Sequence, residues 1–276
     1  MRYEEIALKT HFPALGSNGC DPVLRVYLPQ NLEEMNRQNQ KRPCLLICPG
    51  GGYRHISERE AEPVGLNFLQ QGFNIFILTY SVAPNCFPTQ LLEVAAAVEL
   101  IYQNAVAWNC DTNRIAIMGF SAGGHLAAHY SNRYDCPEVR AVFPHSHPVQ
   151  ACLLGYPVIT AETDFWHSGS FENLSGHSPV TEEDREKFSL ERCVSEKTPP
   201  TFLWHTAADG LVPVENSLIY ARALSQYRVP FELHVYPFGA HGRATADGQT
   251  CDALTPQVAH AHAWIEAAQE WLTLVL

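Results

Sequence analysis

The sequence predicts an α/β fold, with a mainly parallel central sheet, helices on both faces and a small cap insertion. Three observations predict it. Continuous apolar runs such as 44–48 and 73–80 are too short for helices and suit strands buried on both faces. Segments of helical periodicity separate these runs, and glycine or proline punctuates their ends. Alternation of this kind builds βαβ units around a parallel sheet. The 276 residues, 46% hydrophobic and 17% charged, suit a single domain over 1–276 with a sizeable core.

Taken in order, residues 1–30 read as extended chain, with alternation at 23–28 that stops at Pro29. The polar stretch 30–42 reads as a loop. Strand 44–48 runs straight into Pro49-Gly50-Gly51-Gly52. A helix over 60–71 ends at Gly72, where a left-handed residue would close it. Strand 73–80 precedes a helix over 89–104, in which Leu91, Leu92, Ala95, Val98 and Ile101 recur at helical spacing. Strand 114–118, a small-residue helix over 122–130 and strand 151–156 follow. Residues 160–197, rich in Glu, Ser, Gly and Thr, break the rhythm and read as a cap or lid. Strand 202–205, helix 216–226, strand 231–236 and a terminal helix over 259–276 complete the pattern.

Charge and composition narrow the partners. A formal net charge of −11 repels phosphate backbones and anionic lipid, which argues against nucleic-acid and membrane partners. No run approaches the roughly 18 apolar residues of a membrane span. The first residues carry acids and no apolar leader, so a cytoplasmic location is expected. Nine scattered cysteines suggest no disulfide framework. Cys44 and Cys48 share one face of a strand and read as core.

Gly119-Phe120-Ser121-Ala122-Gly123 matches G-x-S-x-G. In that motif a strand turns sharply into a helix and the serine hydroxyl stands at the apex, with small residues on either side permitting close chain approach. The competing reading is a serine that only caps the helix. A tetrahedral intermediate also needs donors for its oxyanion. Gly51 and Gly52, in a glycine-rich loop after a buried strand, are expected to supply backbone N–H groups, joined by Ala122. A Walker loop is excluded because no Gly-Lys-Ser/Thr follows, and a dinucleotide loop because position 55 is His55.

A serine hydroxyl needs an imidazole base, and the imidazole needs an orienting carboxylate. Asp209 lies in a loop after strand 202–205, and His241 in a glycine-flanked loop after strand 231–236. Glu215, Asp164 and Asp247 are weaker candidates for the acid. Among 13 histidines, His125 and His129 stand four apart on the helix after Ser121. They lack the glutamate of H-E-x-x-H and a third ligand, so no metal site is expected. Tyr53, Phe165 and Trp166 are weaker candidates for substrate contact, with simple core packing as the alternative.

With Pro49-Gly50-Gly51-Gly52-Tyr53, Arg59-Glu60-Ala61-Glu62-Pro63, Tyr80-Ser81-Val82-Ala83-Pro84, Gly119-Phe120-Ser121-Ala122-Gly123-Gly124-His125, Ala208-Asp209 and Gly239-Ala240-His241-Gly242, the chain resembles the esterase and lipase group of the α/β hydrolases. Within that group it is similar to the acetyl-esterase-like branch of acetylxylan and xylanase-associated esterases. The resemblance implies hydrolysis of short-chain acyl esters, acetylated sugars or xylo-oligosaccharides among them, through an acyl-enzyme on Ser121, with no cofactor and a small-molecule partner. Pro49 departs from the His that opens the loop in hormone-sensitive-lipase relatives. Two other readings stay open: a small peptidase of the prolyl-oligopeptidase type, and a ligand-binding scaffold without catalysis. An edge strand or the cap could mediate a homodimer.

Overall fold

Eight strands, β1 (Arg2–Ala7), β2 (Val23–Leu28), β3 (Arg42–Cys48), β4 (Asn74–Thr79), β5 (Cys110–Phe120), β6 (Ala151–Gly155), β7 (Thr201–Thr206) and β8 (Phe231–Tyr236), form one sheet in the order β1-β2-β4-β3-β5-β6-β7-β8. This computed structural model describes residues 1–16, 19, 21–162 and 164–276. The extended chain expected at 17, 18 and 20, and position 163 of the expected cap, lie outside the described residues. β1 and β2 pair antiparallel, as do β2 and β4; every other pairing is parallel.

The period of two along a strand divides the core. Leu45 and Ile47 of β3 point to one face, where α2 (Glu62–Leu69) and α10 (Trp264–Val275) cover them with Val64, Phe68, Trp264 and Ala268. Cys44, Leu46 and Cys48 point to the other. There α3 (Thr89–Gln103), α4 (Ser121–Arg133) and α8 (Glu215–Gln226) bury Val98, Leu126 and Leu224 against them. Both faces are covered, which is why the centres of the parallel strands, such as Leu45-Leu46-Ile47 of β3 and Ile115-Ala116-Ile117-Met118 of β5, read as apolar runs.

Several boundaries moved for identifiable reasons. The helix expected over 60–71 is a 3-10 turn at Glu58–Glu60 followed by α2, because Pro63 lacks an N–H and fits only a first helical turn. β5 extends back to Cys110 through polar residues, since Arg42 pairs with Cys110 before a register shift brings Cys44 opposite Ile115. The expected terminal helix is broken into α9 (Pro256–Ala259), a 3-10 turn at His260–Ala263 and α10. One helical turn, α1 (Leu8–His11), interrupts the extended N-terminal stretch. A further short helix, α5 (Pro137–Val142), follows α4.

Residues 160–197 hold α6 (Ser168–Ser175), α7 (Glu182–Phe188) and a 3-10 turn at Leu190–Cys193. Thr181 opens α7 with a capping box, its hydroxyl accepting from the Asp184 amide. The segment is polar by composition. Yet Phe171, Leu174, Val180, Phe188, Leu190 and Val194 are buried in the same core as α3 and α4. Among the described residues, no helix is long and apolar enough to cross a membrane.

Candidate active site

The parallel register brings the ends of β3, β5, β7 and β8 to one edge of the sheet, and the loops that follow them converge there. Ser121 is the first residue after β5 and opens α4 with φ +52°, a left-handed backbone that is uncommon for serine. The turn is tight enough to require its glycines. A Cβ at Gly119 would sit 2.1 Å from the Gly123 carbonyl oxygen, and one at Gly123 would sit 2.1 Å from the Cys48 carbonyl oxygen. The spacing of the pentapeptide is therefore a steric requirement of packing α4 against β3 and β5.

His241 Nε2 lies 2.8 Å from Ser121 Oγ, and His241 Nδ1 lies 2.7 Å from Asp209 Oδ2. The Asp209 carboxylate has no exposed side-chain surface, and its Oδ1 accepts from the amides of Leu211 at 2.9 Å and Val212 at 3.0 Å. Burial alone would raise its pKa. Hydrogen bonds from His205 and His241 outweigh burial and hold it below the usual carboxylate range. An ionised carboxylate only accepts, so His241 Nδ1 carries the proton, and Nε2 of the neutral ring accepts the Ser121 hydroxyl. The sequence-predicted Ser121, Asp209 and His241 thus form one hydrogen-bonded line. The other acids point elsewhere: Asp247 accepts from the Thr245 hydroxyl at 2.7 Å, Asp164 is exposed and Glu215 opens α8.

The glycine loop lies beside this line. Gly51 and Gly52 have φ of +123° and +65°, and among the described residues no acceptor takes their amide N–H groups. Ala122 is the second residue of α4, where opening amides have no intrahelical acceptor. The Gly52 carbonyl accepts from Asn173 Nδ2 at 2.9 Å, which ties the loop to α6. Gly51, Gly52, Ser121 and His241 line one cavity of 840 Å³.

Most of the other residues that line the cavity are polar in type. Arg54, His55 and Arg59 line it from the chain that follows the glycine loop, and His167 and Asn173 line it from the 160–197 segment. His167 Nδ1 and the Ser170 hydroxyl are 2.8 Å apart. Burial first, and the nearby His241 second, hold the His167 pKa below its ordinary value. No motif announced His167 or Asn173; their only signal was polarity inside a stretch that interrupts the fold's rhythm. Arg54, His55 and Arg59 could have been suspected from closeness to the glycine loop.

Tyr53, Phe165 and Trp166 do not line this cavity. The Tyr53 ring is buried, and its hydroxyl donates to His125 Nδ1 at 2.9 Å. Trp166 stacks on Phe171 with ring centroids 6.3 Å apart and lies beneath the Arg185 guanidinium. Phe165 offers its carbonyl to Asn216 Nδ2. Packing claims these aromatics, and the cavity over Ser121 is lined by other residues. His125 Nε2 donates to the Phe188 carbonyl at 3.0 Å, so both its ring nitrogens are engaged, and burial pushes its pKa down to about 4. Among the described residues no group of three or more metal-ligating side chains is found.

The BD-FAE family profile matches residues 24–224. The chain belongs to the BD-FAE family. Within curated proteins, this BD-FAE chain is 36% identical over 232 residues to endo-1,4-beta-xylanase B of Butyrivibrio fibrisolvens, covering 81% of this chain and 36% of that protein. It is 29% identical over 209 residues to an acetylxylan esterase of Xylanibacter ruminicola, covering 74% and 42%. The chain therefore spans less than half the length of these two relatives. Among solved structures, an acetyl ester-xyloside bifunctional hydrolase from Caldicellulosiruptor lactoaceticus superposes with TM-score 0.81 at 37% identity, covering 95% of this chain and 90% of that one. A carboxylesterase from Lactobacillus plantarum superposes with TM-score 0.81 at 28% identity, covering 99% and 98%. The BD-FAE chain has the α/β-hydrolase fold.

Proposed function

We propose that this protein is a serine carboxylesterase that hydrolyses short-chain acyl esters of small hydroxylated molecules, acetylated xylo-sugars among them, through an acyl-enzyme. The observation that carries this reading is the hydrogen-bonded line Ser121–His241–Asp209, with distances of 2.8 and 2.7 Å. His241 Nε2 takes the Ser121 proton as Oγ attacks the ester carbonyl carbon. The carbonyl oxygen gains the electron pair and is held by the N–H groups of Gly51, Gly52 and Ala122. Asp209 fixes the His241 tautomer and stabilises the imidazolium. That imidazolium then protonates the departing alcohol. Water, deprotonated by His241, attacks the acyl carbon, and the acid leaves with Ser121 restored.

The polar cavity supports the substrate class. Arg54, His55, Arg59, His167 and Asn173 offer hydrogen bonds to a hydroxylated alcohol, while Leu211 is the one apolar side chain among the described lining residues. The relatives, an acetylxylan esterase and an acetyl ester-xyloside bifunctional hydrolase among them, point the same way. On this reading the chain is one domain with residues 160–197 as its cap. The eight described cysteines are all free thiols, which suits a reducing cytoplasm.

Two measurements test the proposal. A fluorophosphonate probe should label the parent protein at Ser121 and leave Ser121→Ala unlabelled. A p-nitrophenyl ester series should show kcat/KM greatest for acetate and falling with acyl length, with acetylated xylo-oligosaccharides deacetylated at a rate well above an aminoacyl nitroanilide. Absence of labelling, or a preference for the anilide, sinks the esterase assignment.

A further inference from the structure

The mechanism leaves unused a buried carboxylate beside the nucleophile. Glu60 is 2% exposed and lies at the end of the 3-10 turn Glu58–Glu60, a few residues after the glycine loop. Its Oε2 accepts from the Gly50 amide at 2.8 Å, and its Oε1 accepts from the Tyr156 hydroxyl at 2.8 Å. The Tyr156 hydroxyl oxygen in turn accepts from the Ala244 amide at 2.9 Å. Tyr156 follows β6, Gly50 follows β3, and Ala244 stands three residues past His241. One acid therefore links three of the loops that meet at Ser121.

The contacts are close and directed. A Cβ on Gly50 would come within 2.6 Å of Glu60 Oε2 and 2.8 Å of Ser121 Cβ, so the carboxylate, the loop and the nucleophile are packed against one another. The Tyr156 ring meets the His241 ring edge-on at 5.0 Å between centroids. Tyr156 and Ala244 both have positive φ, +36° and +47°, a conformation that non-glycine residues keep only where surroundings over-determine it. Both carboxylate oxygens receive donors, and the hydrogen bonds and packing leave Glu60 little freedom to move.

We propose that Glu60 is a positioning residue that, through Tyr156, holds the oxyanion loop and the His241 loop in one fixed relation. This rests on the esterase reading above. Without the link, Gly51 and Gly52 could shift relative to Ser121 while His241 loses the wall that its ring leans on. The loss would fall on the transition state, where the oxyanion and the imidazolium exist together, and not on binding of the ester.

The test uses Tyr156→Phe, Glu60→Gln and the double variant. In each, kcat is measured per Ser121 that reacts with a fluorophosphonate, so that misfolded protein is not counted. A 1 Å misplacement can lower rates about 100-fold, so kcat for p-nitrophenyl acetate should fall roughly 10- to 100-fold in each single variant, with KM within about threefold. The double variant should be no slower than the slower single one, because both break the same link. Affinity for a boronic acid that mimics the tetrahedral intermediate should fall in parallel with kcat, while affinity for the product alcohol stays unchanged. Tyr156→Phe keeps the ring and the fold, and it carries the test alone if Glu60→Gln does not fold. An unaltered kcat per labelled site in Tyr156→Phe overturns the proposal. So does a loss confined to KM. A parent protein that the probe does not label would instead sink the esterase reading itself.

Discussion

Two regions of this molecule face the same cavity by different means. The strand-end loops after β3, β5, β7 and β8 bring Gly51, Gly52, Ser121, Asp209 and His241, and the parallel sheet register sets their positions. The 160–197 segment brings His167, just before α6, and Asn173 on α6, a helix held by Phe171 and Leu174 sinking into the core under α3 and α4. In the first region, each reacting group has its orientation set by hydrogen bonds of 2.7 to 2.8 Å. In the second, polar side chains ride on an apolar anchor. On the proposed reading, the first region would carry the chemistry and the second the fit of the substrate.

The comparison breaks most visibly at Ser121. Ser121→Ala should lower kcat roughly 10⁶-fold, about 8 kcal/mol of transition-state stabilisation, without unfolding the protein. Residual ester turnover within tenfold of the parent would move the chemistry elsewhere. Asp209→Asn should lower kcat about 10⁴-fold, because an amide no longer dictates which His241 nitrogen carries the proton. Steady-state kinetics of the purified variant measures it.

The anchoring claim is tested through stability. Phe188 and Phe171 are buried, and truncating either to alanine should cost about 3–5 kcal/mol in urea denaturation. A loss below about 1 kcal/mol at both would mean that the segment lies on the fold without being part of its core.

A pH-dependent term belongs to the scaffold side. Glu93 on α3 is buried and accepts from both the amide and the hydroxyl of Ser81, just past β4. Burial raises its pKa from 4.5 to about 7, against the lowering effect of those hydrogen bonds and of Lys9. Below pH 4.5 the group is protonated in both folded and unfolded chains. As pH rises from 4.5 to 7 the unfolded chain ionises first and stability is lost, with the full penalty above 7. A Gln side chain can accept from the Ser81 amide through Oε1 and donate from Nε2 to the Ser81 hydroxyl oxygen, without ionising. Glu93→Gln should therefore be more stable than the parent at pH 8, by a margin on the order of 3 kcal/mol that vanishes near pH 4. Equal denaturation midpoints at both pH values would refute this.

The smallest expected effect lies at the substrate-facing side of the cap segment. His167→Ala should raise KM for an acetylated xylo-oligosaccharide roughly 2- to 10-fold, the equivalent of one hydrogen bond, with kcat changed by less than about threefold. The same substitution should leave p-nitrophenyl acetate kinetics unaltered, since that ester lacks the hydroxylated part. A large fall in kcat on both esters would put His167 with the reacting groups and erase the distinction between the regions.

The residues proposed to do the chemistry stood out in the sequence because the demands on them are local. A sharp strand-to-helix turn needs small residues on both sides of Ser121, and that need is written as a pentapeptide. Asp209 and His241 were found because loops at strand ends carry ligand-facing groups and because the acid precedes the base along the chain. Element limits were less legible where pairing overrode composition, as in the polar start of β5 opposite β3. Tyr53, Phe165 and Trp166 looked available to a substrate, but aromatic character does not say which way a ring faces. Glu60 stood in plain view within Arg59-Glu60-Ala61-Glu62-Pro63. Its partner Tyr156, and Ala244 that donates to Tyr156 in turn, lie 96 and 184 positions from it, and only folding brings the three together.

By itself, then, the sequence determined the alternation of strand and helix, the apex serine and the order of the groups that serve it, since hydrophobic period and turn sterics act over a few residues. Tertiary structure alone decided the tautomer of His241, the polar lining of the cavity, the descent of Phe171 and Phe188 into the core and the link from Gly50 through Glu60 and Tyr156 to Ala244. Each of these depends on distances between distant segments, and strand pairing and burial set those distances.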